Sequence, residues 1–297
     1  MTSNKIMTFE NIYMKYNKQQ VFQDLNLNIE KGITLIAGRN GAGKSTLMKM
    51  MVNLEKPLSG NIFFFNRKRK NTLKKKEKKE LGFQFQNDSF LKAVKVKEYI
   101  KLYHYFYDSS KNNYDPKKIF DMLKINELEN KYAFNLSGGE KKRLSLYLSI
   151  IGNKKVIILD EPTAGIDIEL KVIILEVLQY LKKYGVNIIV SSHDIEEFIS
   201  ICDTLIILNK QVLFNGTKEQ FYKLYKYKYK SKISNNAEYD FKRYKENKVV
   251  NLFEENYIVS KNREDLSNLK LKNIEEMTFR DYYFLIISEN EDINNGN

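Results

Sequence analysis

Residues 33–52 read ITLIAGRNGAGKSTLMKMMV and change character twice. Ile33, Thr34, Leu35, Ile36 and Ala37 form an apolar run of buried-strand length. A glycine-punctuated turn follows, Gly38, Arg39, Asn40, Gly41, Ala42 and Gly43, and then Lys44, Ser45 and Thr46 open a helical pattern. This is G-x-x-x-x-G-K-S between a strand and a helix, the context a phosphate-binding loop requires. Glycines let the backbone turn tightly and aim its N–H groups inward, and a helix N-terminus adds partial positive charge. Such a loop cradles a polyphosphate, with Lys44 on the β- and γ-phosphates and the Ser45 hydroxyl on Mg²⁺. The plain alternative is a glycine-rich turn without a ligand. Four fixed positions in this context weigh against it.

Outward from this stretch, two alternating pieces within residues 8–29 predict a two-strand meander. Tyr16 falls at its turn, either as half-buried packing or as an exposed ring on which a purine base stacks. Apolar runs at 62–65, 81–85, 156–159, 186–190, 205–208 and 212–214 predict further strands. Helical patterns occupy 94–136, the segment opened by Ser137-Gly138-Gly139, and 167–184, which Gly185 closes. Helices alternating with apolar strands predict a parallel sheet covered on both faces, with ligands at the strands' carboxyl ends. Gly38, Asp160 and His193 all follow such ends.

Asp160 follows four aliphatic residues, where a carboxylate without a partner is costly. A Mg²⁺ ion bridging nucleotide phosphates is its natural partner, shared with Ser45. Glu161 is placed to polarise a water for in-line attack on the γ-phosphate. His193 is placed to donate to that phosphate. Gln86 contacts the metal or the attacking water, or is an ordinary capping residue. His104, alone among tyrosines, reads as packed or exposed.

At 297 residues the chain can bury a full core. Its formal charge of +13 invites nucleic acid or anionic lipid, but Lys, Asn and Ile crowd the whole sequence and read as composition bias. The one cysteine, Cys202, lies among apolar residues and reads as a small buried hydrophobe, which suits a reducing compartment. No apolar stretch approaches the ~20 residues of a membrane span, and the first residues lack a signal-peptide core, so a cytosolic location is expected. The basic run 67–79 reads as a solvated loop or helix. From about Lys218 the texture changes, and YKLYKYKYKSK (222–232) alternates aromatic and basic residues. An edge strand guarded by lysines is the expectation there, ahead of single-stranded nucleic acid or an anionic membrane surface.

With these motifs in order, the chain resembles the ATP-binding subunits of ABC transporters over residues 5–216. GRNGAGKST (38–46) is their P-loop. Phe85-Gln86 resembles their Q-loop, Gln86 being favoured over Gln84 because it directly follows the aromatic residue. LSGGEKKR (136–143) resembles their signature. VIILDEPTAGID (156–167) joins the Walker B strand, the catalytic Glu161 and the D-loop, and SSHD (191–194) carries the switch histidine, His193. Tyr16 falls where the adenine-stacking aromatic is found.

The resemblance implies an α/β fold: a P-loop NTPase core sheet, an N-terminal antiparallel β subdomain, an inserted helical subdomain and a small C-terminal α+β appendage. The expected divisions are an ATP-binding domain over 1–217, with its helical subdomain at about 88–152, an accessory domain over 218–288 and a disordered tail over 289–297. It implies ATP and Mg²⁺ as ligands, the metal held by Ser45, Gln86 and Asp160. It implies ATP hydrolysis involving Lys44, Gln86, Glu161 and His193, and a head-to-tail dimer in which Ser137, Gly138 and Gly139 of one subunit face the P-loop of the other. A separate transmembrane permease is the further partner, which would hold the subunit at the inner face of the cell membrane. No nucleic acid is expected.

The family's hydrophobic-Thr-Val-x-Glu-Asn stretch is replaced by AVKVKEYI (93–100), and residues 262–287 resemble the C-terminal segment of exporters of antimicrobial peptides and drugs. The competing function is a soluble ABC-type ATPase acting on the ribosome or nucleic acid. Against it stand the single P-loop and the absence of a long coiled coil between P-loop and signature.

Overall fold

The computed structural model describes residues 4–17, 19–65, 67–68, 73–107, 113–224, 227–233, 247–252, 255–271 and 273–295. Lys18 of the meander turn, residues 69–72 of the basic run and the last two residues of the expected tail lie outside them. The chain divides into two compact units, Met1–Asn215 and Gly216–Asn297.

In the first unit, β1 (Lys5–Tyr16) and β2 (Gln19–Glu30) pair antiparallel. Alternation, reset by register shifts such as that between Phe9 and Ile12, buries Ile6, Phe9, Ile12, Phe22, Leu25 and Leu27. β3 (Ile33–Ala37), buried along its whole length, leads through the glycine loop into α1 (Lys44–Met51). β4 (Ser59–Phe64) pairs antiparallel with β1, and β5 (Arg67–Lys68) with β4. α2 (Lys75–Glu80) precedes β6 (Leu81–Gln84). The helical segment follows as α3 (Val96–Phe106), α4 (Pro116–Met122), two short 3-10 turns and α5 (Gly138–Ile150). β7 (Val156–Leu159), α6 (Ile168–Lys183), β8 (Asn187–Ser192), α7 (Glu196–Ile199), β9 (Thr204–Leu208) and β10 (Val212–Thr217) complete the order.

The central six-stranded sheet runs β10-β9-β3-β8-β7-β6, and β9, β3, β8, β7 and β6 are parallel. Its inner strands are apolar throughout because both faces are covered. Thr34 of β3 and Thr204 of β9 are polar exceptions that satisfy each other, their hydroxyls 2.8 Å apart, and β8 carries Asn187, Ser191 and Ser192 at its ends. Leu47, Met48, Met50 and Met51 of α1 join the inward faces of β1 and β2 to Ile36, Ile158 and Ile206 in one core. Each such side chain contributes roughly 1.5–3 kcal/mol by leaving water. The glycine loop thus starts from one of the best-anchored strands in the protein.

Register sets the site. Ala37 lies opposite Ser192, Leu159 opposite Val190, and Gln84 opposite Leu159. The carboxyl ends of β3 and β8 are level, those of β7 and β6 are level two residues short of them, and Gly38, His193, Asp160 and Gln86 all emerge at the same end of the sheet. The strand expected over 81–85 ends at Gln84, so Phe85 and Gln86 already belong to the loop.

The second unit carries α8 (Lys218–Leu224), β11 (Tyr229–Lys232), β12 (Lys248–Leu252), β13 (Glu255–Ser260), α9 (Arg263–Asn268), β14 (Glu275–Glu276) and α10 (Phe279–Asn295). Two expectations are overturned here. The Tyr/Lys alternation is no edge strand: its start is helical, and β11 lies inside the order β12-β13-β11-β14. A reciprocal cap between Thr217 and Gln220 opens α8, and Lys230 lies buried against Asp281 at 2.8 Å rather than guarding an edge. Residues 289–295 are helical rather than a disordered tail, because α10 is capped by Thr278 and Asp281 and anchored by Tyr282, Tyr283, Leu285 and Ile287. Once that nucleus is fixed, each further residue adds one hydrogen bond.

Candidate functional site

A cleft of about 390 Å³ opens over the glycine loop, lined by residues 39–46, Tyr16, Gln19, Val21, Gln86 and Glu161. The loop's shape depends on glycine at two positions. Gly43 has φ +100°, and a Cβ there would meet the Phe22 ring at 2.6 Å. A Cβ on Gly38 would meet the Leu208 carbonyl oxygen at 2.4 Å.

The Lys44 ammonium donates to the carbonyls of Gly38 at 2.7 Å and Arg39 at 3.3 Å, and lies 3.5 Å from Glu161 Oε1. Burial pushes it below the usual lysine range, and the Glu161 carboxylate pulls it partly back. Gln86 Nε2 donates to the other Glu161 oxygen at 2.8 Å, and His193 Nδ1 stands 3.8 Å from that same oxygen. Lys44, Gln86, Glu161 and His193, drawn from four separate parts of the sequence, therefore meet at one carboxylate.

Glu161 reaches this position through an unusual backbone, with φ +48°. A left-handed non-glycine residue costs roughly 1–2 kcal/mol and persists only where its surroundings hold it. Its N–H donates to Ser191 Oγ at 2.9 Å, and the same hydroxyl donates to Asp160 Oδ1 at 2.7 Å. Ser191 thus ties consecutive acidic residues to β8. Asp160 is buried at the end of β7.

Tyr16 stands at the cleft rim, its hydroxyl bonded to Thr46 and Glu55, and burial raises its phenol above the ordinary value. Ser137, Gly138 and Gly139 do not line this cleft. Ser137 caps α5, accepting from Glu140 N at 3.3 Å while Glu140 Oε2 accepts from Ser137 N at 2.8 Å. A Cβ on Gly138 would meet nothing within 4 Å, so this helix start is open on its outer side.

Sequence reasoning missed Ser191 as a linker and missed Lys142 altogether. Lys142, buried on α5, donates to the Gln86 carbonyl at 2.7 Å and approaches the Glu161 carbonyl at 3.4 Å. The available signal was its spacing: Lys142 falls one helical turn before Leu146, on the buried face of α5.

The donor set suits Mg²⁺. Ser45 would supply a hydroxyl and Gln86 an amide oxygen from the cleft lining, and the buried Asp160, which does not itself line the cleft, a carboxylate oxygen, all hard oxygen donors.

The sequence profile described as ABC transporter matches residues 22–164. A Methanocaldococcus jannaschii protein, provisionally named an ABC transporter ATP-binding protein, is 30% identical over 231 residues, covering 74% of this chain and 82% of its own length. The methionine import ATP-binding protein MetN of Clostridioides difficile is 32% identical over 226 residues, covering 73% of this chain and 70% of its own. Among solved structures, a dimeric ABC transporter cassette superposes with a TM-score of 0.62 at 23% identity, covering 71% of this chain and 98% of that one. Profile, relatives and fold agree with the phosphate loop and the Glu161 carboxylate facing it: the chain belongs to the ABC transporter family, as one of its ATP-binding, ATP-hydrolysing subunits.

Proposed function

We propose that this subunit closes on a second copy over two ATP molecules and that hydrolysis of the ATP powers a separate transmembrane permease. The observation that carries the reading is the meeting of Lys44, Gln86 and Glu161 over the glycine loop. In it the backbone N–H groups of the loop and Lys44 hold the phosphates, and Tyr16 stacks on the base. Mg²⁺, held by Ser45, Asp160 and Gln86, would neutralise charge on the phosphate oxygens. Glu161 accepts the proton of the attacking water, and Gln86 orients both. His193 donates to the γ-phosphate.

One glycine loop and one signature per chain leave each protomer half of a site. The open N-terminus of α5 at Ser137 is an anion-binding end suited to the partner's γ-phosphate. The permease partner is supported by a groove of about 410 Å³ elsewhere in the first unit, lined by Leu54, Phe83, Phe85, Tyr103 and Tyr107 among others. No described helix is long and apolar enough to cross a membrane, so the spanning segments belong to that partner in this reading. We assign export of peptide or drug-like substrates on residues 262–287 alone. A relative named for import shares the ATP-binding unit, so direction rests on no feature of the ATP site.

The test is a pair of variants. Glu161→Gln is expected to bind ATP, accumulate as a dimer and lose at least about 100-fold in turnover. Ser137→Arg is expected to bind ATP and not hydrolyse it. Mixed together, the inactive chains regain activity, because one site then has both halves intact. Silence of the mixture, or normal turnover by Glu161→Gln, overturns the reading.

A further inference from the structure

We propose that Lys142 is a positioning residue for the hydrolysis site of its own chain, holding the backbones of Gln86 and Glu161 in register; this rests on the roles assigned above to those two residues. Lysine is almost never buried unless paired, and taking an ammonium from water costs several kcal/mol. Yet Lys142 is 7% exposed, on a helix whose other buried residues, Leu144, Leu146, Tyr147, Leu148, Ser149 and Ile150, carry no charge. Packing alone would be served better by an apolar side chain. What the ammonium gains is a set of oxygens drawn from separate segments: the Gln86 carbonyl at 2.7 Å, the Glu161 carbonyl at 3.4 Å and the Asp88 carboxylate at 3.8 Å.

Two of these matter to the chemistry. The Glu161 peptide is left-handed and gripped on both sides, its N–H by Ser191 and its carbonyl by Lys142. Gln86, whose side chain donates to the Glu161 carboxylate, has its own backbone held by the same ammonium. One side chain therefore fixes both ends of the Gln86–Glu161 pair without lining the cleft over the glycine loop. Its loss should misplace the base and leave ATP binding intact. A displacement of about 1 Å at a reacting group can cost on the order of 100-fold in rate.

Lys142 also sits on the helix that Ser137 caps, so a role in its own chain's site must be separated from a role in shaping the signature offered to the partner. Lys142→Met is expected to lower kcat about 10- to 100-fold, with the KM for ATP and the affinity for a fluorescent ATP analogue within about threefold of wild type. Lys142→Gln, which can still donate to one carbonyl, is expected to recover part of kcat. Should Lys142→Met fold poorly because Asp88 is left without its cation, Lys142→Met/Asp88→Asn removes that charge and is measured instead. Mixing then locates the effect. A Lys142→Met chain keeps its signature, so it restores activity to Ser137→Arg chains; it does not restore Glu161→Gln chains.

Undiminished kcat, a parallel loss of ATP affinity and kcat, or rescue of Glu161→Gln but not Ser137→Arg each overturns the proposal. The mixture of Ser137→Arg with Glu161→Gln is the control for shared sites. If that control alone is silent, the dimer reading fails, and the split between kcat and ATP affinity still decides the role of Lys142.

Discussion

Lys154 shows what burial does to a single residue. Its ammonium donates to the carbonyls of Lys79 at 3.2 Å and Leu81 at 3.1 Å and lies 3.5 Å above the centre of the Tyr107 ring. Burial pulls it down to about 7, from the ordinary lysine value of 10.5. Between these values the unfolded chain holds a proton that the folded chain has released. Stability therefore rises with pH through that window, and below about 7 the full cost of the buried charge is present. Lys154→Met is expected to be more stable than wild type at pH 6–7 by on the order of 1–3 kcal/mol, the advantage shrinking toward pH 10. Urea midpoints across that range test it, and an advantage independent of pH counts against the assignment. Residues of this kind are hard to read in a sequence. Lys44, Gln86, Glu161 and His193 stand at spacings that carry their meaning locally. Lys142, Lys154 and Ser191 acquire theirs from partners many residues away.

At the scale of elements, the legible ones carry their own start and stop signals. α6 begins where Asp167 accepts from Leu170 N at 2.8 Å and ends before Gly185 at φ +77°. Asp167→Ala should remove that cap and lower stability by about 1 kcal/mol, seen as a lower thermal midpoint. No change in the midpoint would mean that packing of Leu170, Ile174, Val177 and Leu178 fixes the helix start unaided. The Tyr/Lys alternation over 222–232 misled because a period of two extends across a helix boundary. The capping exchange between Thr217 and Gln220 outweighs it, and the lysine that looked solvent-facing finds Asp281. The end of the C-terminal helix, beyond residue 288, was missed for a related reason: its charged last turns look disordered alone, and only the buried aromatic and aliphatic residues before them fix the helix.

For the whole molecule, charge says less than its total suggests. The +13 excess is spread over the chain, while the consequential charges are few and buried. In the second unit, Lys230 and Asp281 are 8% and 1% exposed and 2.8 Å apart. Breaking such a pair leaves one uncompensated buried charge. Asp281→Ala is expected to cost about 3–5 kcal/mol, read as a loss of protection of α10 and the strands it packs on from protease. ATP affinity, which belongs to the first unit, is expected to stay within about twofold. A variant as protease-resistant as wild type would show that Lys230 finds another partner. The parallel sheet was legible because its strands are continuous apolar runs. The second unit was legible as a small α+β appendage but not in its strand order, because its short strands carry no motif and their pairing is decided by contacts outside each segment.

The fixed register of these strand ends has a consequence for how such a chain can vary. Neighbouring strands stand about 4.8 Å apart, so the lateral placement of Gly38, His193, Asp160 and Gln86 is a ruler marked in hydrogen bonds. Of the long connection from β6 to β7, Gln86 and Asp88 at its start and Lys142 on α5 touch those groups. Residues can be inserted or pruned between α3 and α5 without moving one chemical group relative to another. A one-step slip of any of the four strands would put its group on the wrong mark and turn its side chains to the opposite face. Variation is therefore tolerated along the connections and forbidden across the sheet.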